Sequence, residues 1–340
     1  MVVTQPDYYD RFSCIAGACP DSCCIGWQVV PDQEHLEFYR QLQTPLGEQI
    51  RSGIVNIDGE PTFAQCNGRC CMLREDGLCE IQYHLGEDAL SHVCGFYPRF
   101  VTELGLIREQ GLSISCPEVA RMILTAREPL VLKTYTTDDP LRYFHDIEPE
   151  RLIAIRQGRD RALAILRDRS LSLCSRMKKV LDVALQVDEV EPESSSHSIT
   201  DAECQAFRSA LYDLLSSLER LREDWTHILE AGRTGSALSK PDEDVCWEQL
   251  LSYYLFKYSL RASMDETFLE SVTLGIVSVL LLQELYHQGQ GDLLFLVQLY
   301  AKETEHNDNN LQALMDAFAE NPYFSPNFLM SLLDHYSVGL

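Results

Sequence analysis

Ten of the thirteen cysteines in this 340-residue chain lie within its first 116 residues. Cysteine thiolates bind zinc and iron–sulfur clusters, and cysteine thiols also pair as disulfides in oxidising compartments. The amino-terminal part therefore carries either a metal centre or a disulfide framework. Its cysteines are Cys14, Cys19, Cys23, Cys24, Cys66, Cys70, Cys71, Cys79, Cys94 and Cys116.

The start of the chain favours metal binding over disulfides. Residues 1–11 have no basic start and no apolar run, so they do not resemble a signal peptide. The longest apolar run, residues 274–282, is far shorter than the ~20 residues that a membrane span needs. We therefore expect a cytoplasmic protein with no membrane partner, in which thiols stay reduced and clustered cysteines bind metal.

The spacing of the cysteines leaves zinc and an iron–sulfur cluster both open. Zinc ribbons carry paired C-x2-C knuckles, and this chain has none in that form. Cys14-x4-Cys19 followed by Cys23 is similar to the plant-type ferredoxin pattern with one extra residue, and Cys116-Pro117 is similar to the end of bacterial ferredoxin runs. These similarities favour a cluster, with zinc as the alternative metal.

The net charge and the positions of the lysines indicate which class of partner the protein could bind. The net charge of −24 should repel nucleic acid and attract cationic partners, although solubility alone is an equally good explanation. All six lysines lie after residue 132, so the cysteine-rich part has no side-chain amine. A genome-wide preference for arginine explains this simply. A lysine-modifying enzyme would also gain by keeping amines away from its own site.

Several longer motifs resemble one known family. They are FSCIAGACPDSCCIGW at residues 12–27, CCMLREDGLCEIQ at 70–82, CGFYPR at 94–99 and LSISCPEVA at 112–120. Taken together over residues 8–125, they resemble the flagellin lysine-N-methylases, a family within the broader cysteine-cluster zinc- or iron-chelating proteins.

The resemblance implies an enzyme that methylates surface lysines of flagellin with S-adenosylmethionine as the methyl donor. It also implies a [4Fe-4S] cluster held by four of the cysteines that match the family pattern. Cys66 and Cys71 fall where the family has no cysteine, so we expect them to be packing or incidental thiols. The matching cysteines are Cys14, Cys19, Cys23, Cys24, Cys70, Cys79, Cys94 and Cys116.

Methyl transfer to lysine requires a neutral amine, whereas free lysine has a pKa near ~10.4. A competent site removes water from the ammonium or offers a proton acceptor, and aromatic faces suit the cationic donor. We therefore expect Tyr97 as a hydrogen-bond partner or proton acceptor, Arg99 as a carboxylate clamp and Trp27 in the cofactor site. The alternative is that the two aromatics are core residues and Arg99 forms an internal ion pair.

Other motifs narrow the chemistry. No G-x-G-x-x-G loop follows a strand, so a doubly wound methyltransferase domain is not expected. The C-x3-C-x2-C run of radical enzymes is also missing, which favours polar methyl transfer. His84 and His92 are candidate mixed metal ligands, and the later histidines, including His306, are expected to be solvated or to lie on helix surfaces. The rival function is a non-enzymatic metal-binding or redox protein.

The sequence patterns predict that the elements positioning these residues form a mainly α fold. An irregular cysteine-rich iron–sulfur domain is expected over residues 1–130, and an all-helical domain over residues 131–340. In the first domain, strands are predicted at 27–30 and 53–57. Helices are predicted there at 32–42 with Asp32 as the cap, at 81–93 with a break at Gly86, and from Pro117 to 126.

Helical periodicity dominates the second domain. An acidic, serine-rich segment near residues 188–200 is expected to be a mobile linker. The oligomeric state does not follow from these patterns. Helices are predicted over residues 149–168, 171–185, 202–229, 243–262, 266–288, 292–303, 309–320 and 326–335.

Overall fold

The computed structural model describes residues 1–140, 148–191, 198–238, 240–264 and 267–338. Helices account for 58% of the chain, and fourteen α-helices and eight strands lie in the described part. The predicted mainly α fold is confirmed. The cysteine-rich part, however, is better ordered than the predicted irregular domain, because it contains a four-stranded sheet and two short hairpins.

The amino-terminal elements alternate short strands with short helices. They are β1 (Val2–Pro6), α1 (Gln33–Gln41), α2 (Pro45–Ser52), β2 (Ile54–Ile57), β3 (Glu60–Phe63), β4 (Gln65–Cys66), β5 (Arg69–Cys70), α3 (Glu80–Leu85), α4 (His92–Phe96), β6 (Arg99–Leu104), β7 (Ile107–Leu112), α5 (Pro117–Leu124) and β8 (Leu132–Thr136).

The main sheet has the strand order β6-β7-β1-β8. β1 runs parallel to β7 and antiparallel to β8, and β6 and β7 form an antiparallel hairpin. β8 lies beyond residue 130, so the part predicted to be all-helical begins with a strand of this sheet. The hairpin matters for the site, because β6 begins just after the Tyr97-Pro98 pair and β7 leads into Ser113 and Ser115.

Local sequence signals account for several of these elements. The Asp32 side chain accepts a hydrogen bond from the backbone N–H of His35 at 3.1 Å and caps α1, as predicted. Pro117 opens α5 at its first turn, also as predicted. Gly86, with φ +86°, ends α3 and splits the predicted 81–93 helix into α3 and α4.

One predicted strand is wrong. Residues 27–30 form no strand; the Trp27 carbonyl instead accepts a hydrogen bond from the Gln65 amide, and Trp27 donates its indole N–H to the Cys23 carbonyl at 2.6 Å. The apolar run that predicted a strand serves packing here, because Val29 is buried in a small core. The strand predicted at 53–57 is confirmed as β2.

The carboxy-terminal part is helical after β8. The helix predicted over 202–229 is two helices, separated near residue 220. The predicted linker is described only at its ends, since residues 192–197 lie outside the described part. The helices are α6 (Pro149–Leu166), α7 (Leu173–Val187), α8 (Asp201–Ser217), α9 (Glu223–Thr234), α10 (Val245–Tyr258), α11 (Phe268–His287), α12 (Leu293–Glu305), α13 (Asp308–Glu320) and α14 (Pro326–Val338).

Two hydrophobic cores organise the chain. The larger one joins the carboxy-terminal helices to the end of β7 and to α5, through Leu112, Ile114 and Val119 among others. A smaller core around Tyr39 and Ile50 lies under the cysteine-rich segments. Cys116 belongs to the larger core and Cys70 to the smaller one, so both halves of the chain position candidate thiols. Cys24, Cys79 and Cys94 pack against the smaller core.

α11 is the central helix of the larger core. It is long and apolar enough to cross a membrane, and 89% of its most apolar window is buried inside the protein.

Candidate functional site

Thiols from three separate segments meet at one place. The Cys24 side chain is in hydrogen-bond contact with those of Cys23 and Cys79. The hydrogen bond from Cys24 holds the pKa of the Cys79 thiol below its ordinary value. Cys94 on α4 lies within electrostatic range of Cys23 and Cys79, and burial raises its pKa to about 11. The Cys23–Cys24 turn, the start of α3 and α4 therefore share one thiol cluster.

A second group of thiols adjoins the first. Burial, together with the nearby Cys19 and Cys14 thiols, raises the pKa of Cys116 to about 11. Burial also raises the pKa of Cys19, which lies within electrostatic range of Cys14 and Cys23. Cys19 thus connects the group around Cys116 to the cluster around Cys23.

The remaining cysteines of the amino-terminal part lie on or beside the β4–β5 hairpin. Cys66 is exposed on the β4–β5 hairpin, whereas the Cys70 and Cys71 thiols contact each other and lie within electrostatic range of Cys79. The Cys71 thiol donates to the Gly53 carbonyl at 3.3 Å, which gives it a packing role. All eight predicted ligands therefore lie in one connected region. Among the described residues, no three His, Cys, Asp or Glu side chains stand in a metal-holding arrangement, so the ligand set stays a prediction.

An acidic residue of the cysteine-rich loop is bound by the carboxy-terminal helices. Asp21 accepts hydrogen bonds from Lys302 at 2.7 Å, Gln298 at 2.6 Å and Arg222 at 3.2 Å. Lys302, whose side chain is 3% exposed, also donates to the Ser22 carbonyl at 3.2 Å. The loop between Cys19 and Cys23 is therefore held against α12 and the segment before α9.

Three rings form a corner beside this loop. The Trp27 ring lies 5.8 Å from the Tyr97 ring and 5.1 Å from the His306 imidazole, centroid to centroid. Tyr97 meets His306 edge-on at 6.0 Å. The Tyr97 hydroxyl lies within electrostatic range of Cys23 and Cys116, so the aromatic corner adjoins both thiol groups.

A hydrogen-bonded chain runs from this corner into the protein. The Ser115 hydroxyl lies 3.1 Å from the Tyr97 hydroxyl, 2.8 Å from His306 Nε2 and 2.7 Å from the Ser113 hydroxyl. Ser113 in turn donates to Glu305 Oε2 at 2.6 Å. The end of β7 and the end of α12 together build this polar chain.

Glu305 is the acceptor at the inner end of the chain. Its carboxylate also accepts from the Tyr253 hydroxyl at 2.7 Å and from the Lys257 ammonium at 2.6 Å. The Lys257 nitrogen lies 5.0, 5.5 and 5.7 Å from the ring centres of Phe100, Tyr258 and Tyr253. The aromatic rings and the carboxylate stabilise this buried cation.

The three non-cysteine residues predicted for the site, Trp27, Tyr97 and Arg99, differ in their contacts. The structure brings Trp27 and Tyr97 together, whereas the contacts of Arg99 are with the Phe12 ring, 5.5 Å away, and with Tyr9. No finding tests the catalytic or cofactor roles predicted for the three, which stay predictions.

The two histidines considered as mixed metal ligands have other partners. His84 Nε2 pairs with Glu80 at 3.1 Å, and the His92 ring stacks on Phe96 at 5.3 Å. Both contacts are local to their own helices, so neither ring is held toward the thiols by them.

The sequence missed His306 entirely. The sequence predicts a solvated or helix-surface residue, but His306 follows the last residue of α12 and is largely buried, and this burial lowers its pKa to about 4. Its one sequence signal is position, since it lies four residues after Lys302 and next to Glu305, both of which contact the amino-terminal part. The idea of a site without lysine also needs correction: Lys257 and Lys302 both approach it, each bound to a carboxylate.

A separate cleft of about 580 Å³ lies between the carboxy-terminal helices. Its lining includes Glu284, His287 and Gln288. None of the residues that the sequence predicts for catalysis or metal binding lines it.

Comparison with known proteins places the chain in a family. The profile of the FliB lysine N-methylase C-terminal domain matches residues 217–332. The flagellar biosynthetic protein FliU of Salmonella muenchen is 31% identical over 154 residues, which are 42% of this chain and 91% of that protein. This chain belongs to the flagellin lysine-N-methylase family. The family resemblance read from the cysteine motifs is therefore confirmed.

Other members of the family are longer than the matched segment. The lysine-N-methylase of Salmonella typhimurium is 33% identical over 143 residues, which are 40% of this chain and 36% of that protein. The lysine-N-methylase of Salmonella choleraesuis is 32% identical over the same shares. The match thus spans about a third of these relatives. No solved structure matches the chain. The family segment at 217–332 includes Arg222, Lys302 and His306, which contact the cysteine-rich part.

Proposed function

We propose that this protein is an S-adenosylmethionine-dependent N-methyltransferase that acts on lysines of flagellin. The observation that carries the proposal is the aromatic corner of Trp27, Tyr97 and His306, built next to the thiol cluster by both halves of the chain. The names of the relatives support lysine methylation as the reaction. The net charge of −24 suits a substrate that presents lysines.

The corner matches what methyl transfer to an amine needs. The reaction forms a bond between the lysine nitrogen and the methyl carbon and breaks the bond between that carbon and the sulfonium sulfur, leaving a neutral thioether. Both the donor and the methylated product are cations. The faces of Trp27 and Tyr97 offer them aromatic surface, which attracts cations in a desolvated site. Alignment of nitrogen, carbon and sulfur is largely an orientation effect, and rigid rings supply it.

We further propose that four of the eight matching cysteines hold a [4Fe-4S] cluster. Thiolates are the ligands that such a cluster takes, and the Cys24 thiol lies next to those of Cys23 and Cys79, while Cys94 lies within electrostatic range of both. A thiolate set of this kind also fits zinc, which stays the alternative metal. If only three cysteines bind, the cluster would supply an open iron for the amino and carboxylate groups of the methyl donor.

The test of the activity uses the full chain purified without oxygen. Flagellin is incubated with it and with methyl-labelled S-adenosylmethionine, and label on lysine is located by peptide mass spectrometry. Transfer that requires both the protein and the donor supports the proposal. Absence of label on flagellin, with iron-replete protein, would replace it with the rival function of a metal-binding protein.

A further inference from the structure

The hydrogen-bonded chain at the aromatic corner fixes where each proton lies. Glu305 accepts from Lys257, Tyr253 and Ser113, so the single hydroxyl proton of Ser113 points to Glu305. The Ser113 oxygen then serves as the acceptor for the Ser115 hydroxyl, 2.7 Å away. Ser115 has used its only proton and can only accept from its two other neighbours.

Those two neighbours must therefore donate. The Tyr97 hydroxyl, 3.1 Å from Ser115, directs its proton at Ser115, and burial raises the pKa of this phenol well above its usual value. His306 Nε2, at 2.8 Å, must likewise carry a hydrogen. Burial keeps this imidazole neutral, although Glu305 favours the cation, so its one proton is on Nε2.

The other ring nitrogen of His306 is consequently a bare acceptor. Nδ1 is buried and has no hydrogen-bond partner in the described part of the chain. A buried acceptor without a partner destabilises the folded state, because it loses its hydrogen bonds to water and gains none in return. Native proteins leave few such atoms, and a catalytic role is one of the reasons for which they persist. The Trp27 and Tyr97 rings pack around the imidazole, so an N–H group arriving there would also meet two aromatic rings.

We propose that Nδ1 of His306 accepts a hydrogen bond from the amine of the substrate lysine and orients its lone pair toward the methyl donor. This inference rests on the proposed function and names the residue that positions the nucleophile. Ser113 and Ser115 act through His306: they hold its proton on Nε2 and leave Nδ1 free.

The role is that of an acceptor that orients the amine. A histidine with a pKa of about 4 does not retain a proton at neutral pH, so the ammonium proton of the substrate goes to solvent. One N–H of the neutral amine then donates to Nδ1. The nitrogen lone pair, which is not used in that bond, forms the bond to the methyl carbon as the sulfonium sulfur leaves with its electron pair.

Two substitutions of His306 distinguish a role as hydrogen-bond acceptor from a purely structural role. His306→Gln keeps an N–H at the Nε2 position for Ser115 but loses the acceptor at Nδ1. His306→Asn keeps an acceptor oxygen at the Nδ1 position but loses the bond to Ser115. We expect H306Q to lower kcat for flagellin methylation by about 100-fold, with iron content unchanged, and H306N to retain more activity. His335→Gln, on α14, is the matched control and should methylate at the wild-type rate.

The outcomes are distinct from those of the proposed function. Wild-type protein that methylates no lysine defeats the proposed function, whereas an H306Q variant as fast as wild type overturns this inference alone. Nitrogen-15 NMR of histidine-labelled protein tests the inference even without turnover. It should show an unprotonated Nδ1 on His306 that shifts when a lysine peptide is added. A protonated Nδ1, or no shift with saturating peptide, would overturn the inference.

Discussion

The Lys302 ammonium lies 2.7 Å from the Asp21 carboxylate and joins the last turn of α12 to the loop between Cys19 and Cys23. Both side chains are largely buried, with exposed fractions of 3% and 15%. The carboxy-terminal helices therefore hold the cysteine loop in place and bring His306, four residues after Lys302, to the same site.

Removing Asp21 should destabilise the protein strongly. In Asp21→Asn, the buried Lys302 ammonium loses its counter-charge, and breaking such a pair costs about 3–5 kcal/mol. Urea unfolding should show this loss. The matched control is Asp334→Asn, which removes a more exposed partner of Lys178 and should cost about 0–1 kcal/mol. Equal effects of the two substitutions would show that the Asp21 contact is not structural.

A second buried pair ties the sheet to the helices. Arg159 of α6 lies 2.5 Å from Glu109 of β7, and both side chains are 2% exposed. We expect Glu109→Gln to lower the free energy of unfolding by about 3–5 kcal/mol, because the buried guanidinium loses its close, buried counter-charge and keeps only the exposed Asp160 at 3.8 Å. Glu37→Gln, which breaks an exposed pair with Arg40, should change it by about 0–1 kcal/mol. A Glu109→Gln variant as stable as wild type would contradict this.

The neutral state of His306 predicts a pH dependence of stability. Its pKa of about 4 in the folded protein is below the ~6.5 of an unfolded histidine, so the folded state binds fewer protons between these values. The contribution of this histidine to the free energy of unfolding is about 3 kcal/mol. It is fully present above pH ~6.5 and is lost as the pH falls toward 4. The difference in unfolding free energy between wild type and H306Q, measured from pH 7 to pH 4, isolates this group. A difference that does not change with pH would contradict the prediction.

Cysteine substitutions test the metal centre. We expect Cys23→Ser to abolish bound iron and methylation together, because Cys23 contacts Cys24 within the thiol cluster. Cys66→Ser is the matched control, since Cys66 is also exposed but lies on the β4–β5 hairpin. Iron and sulfide are assayed in protein purified without oxygen. Wild-type protein that contains one zinc and no iron would exclude the cluster.

Much of the local structure followed from the sequence, because its signals are local. The Asp32 cap, Pro117 at the start of α5 and the long helical periods needed no tertiary information. Residues 27–30 show where prediction from the sequence fails. Their apolar pattern suits a strand, but in the structure Val29 packs into the smaller core and Trp27 packs against His306. A short apolar run does not reveal which partner it will meet.

The candidate site was only half predictable. The cysteine motifs and the nearby Trp27 and Tyr97 are contiguous signals that the resemblance could detect. His306 and Glu305 reach the site only because α12 packs beside α5. Their partners Ser115 and Ser113 lie 191 and 192 residues away along the chain, and no local pattern encodes those contacts. The arrangement of buried donors and acceptors, which gives His306 its role, exists only in the folded protein.

The most direct test of the central claim is the intact mass of flagellin after incubation with iron-replete protein and S-adenosylmethionine. We predict an increase in steps of one methyl group, located on lysines, that is absent when the donor is omitted and absent with the Cys23→Ser variant. Flagellin of unchanged mass after incubation with the iron-replete wild type would contradict the claim that this protein is a lysine methyltransferase of flagellin.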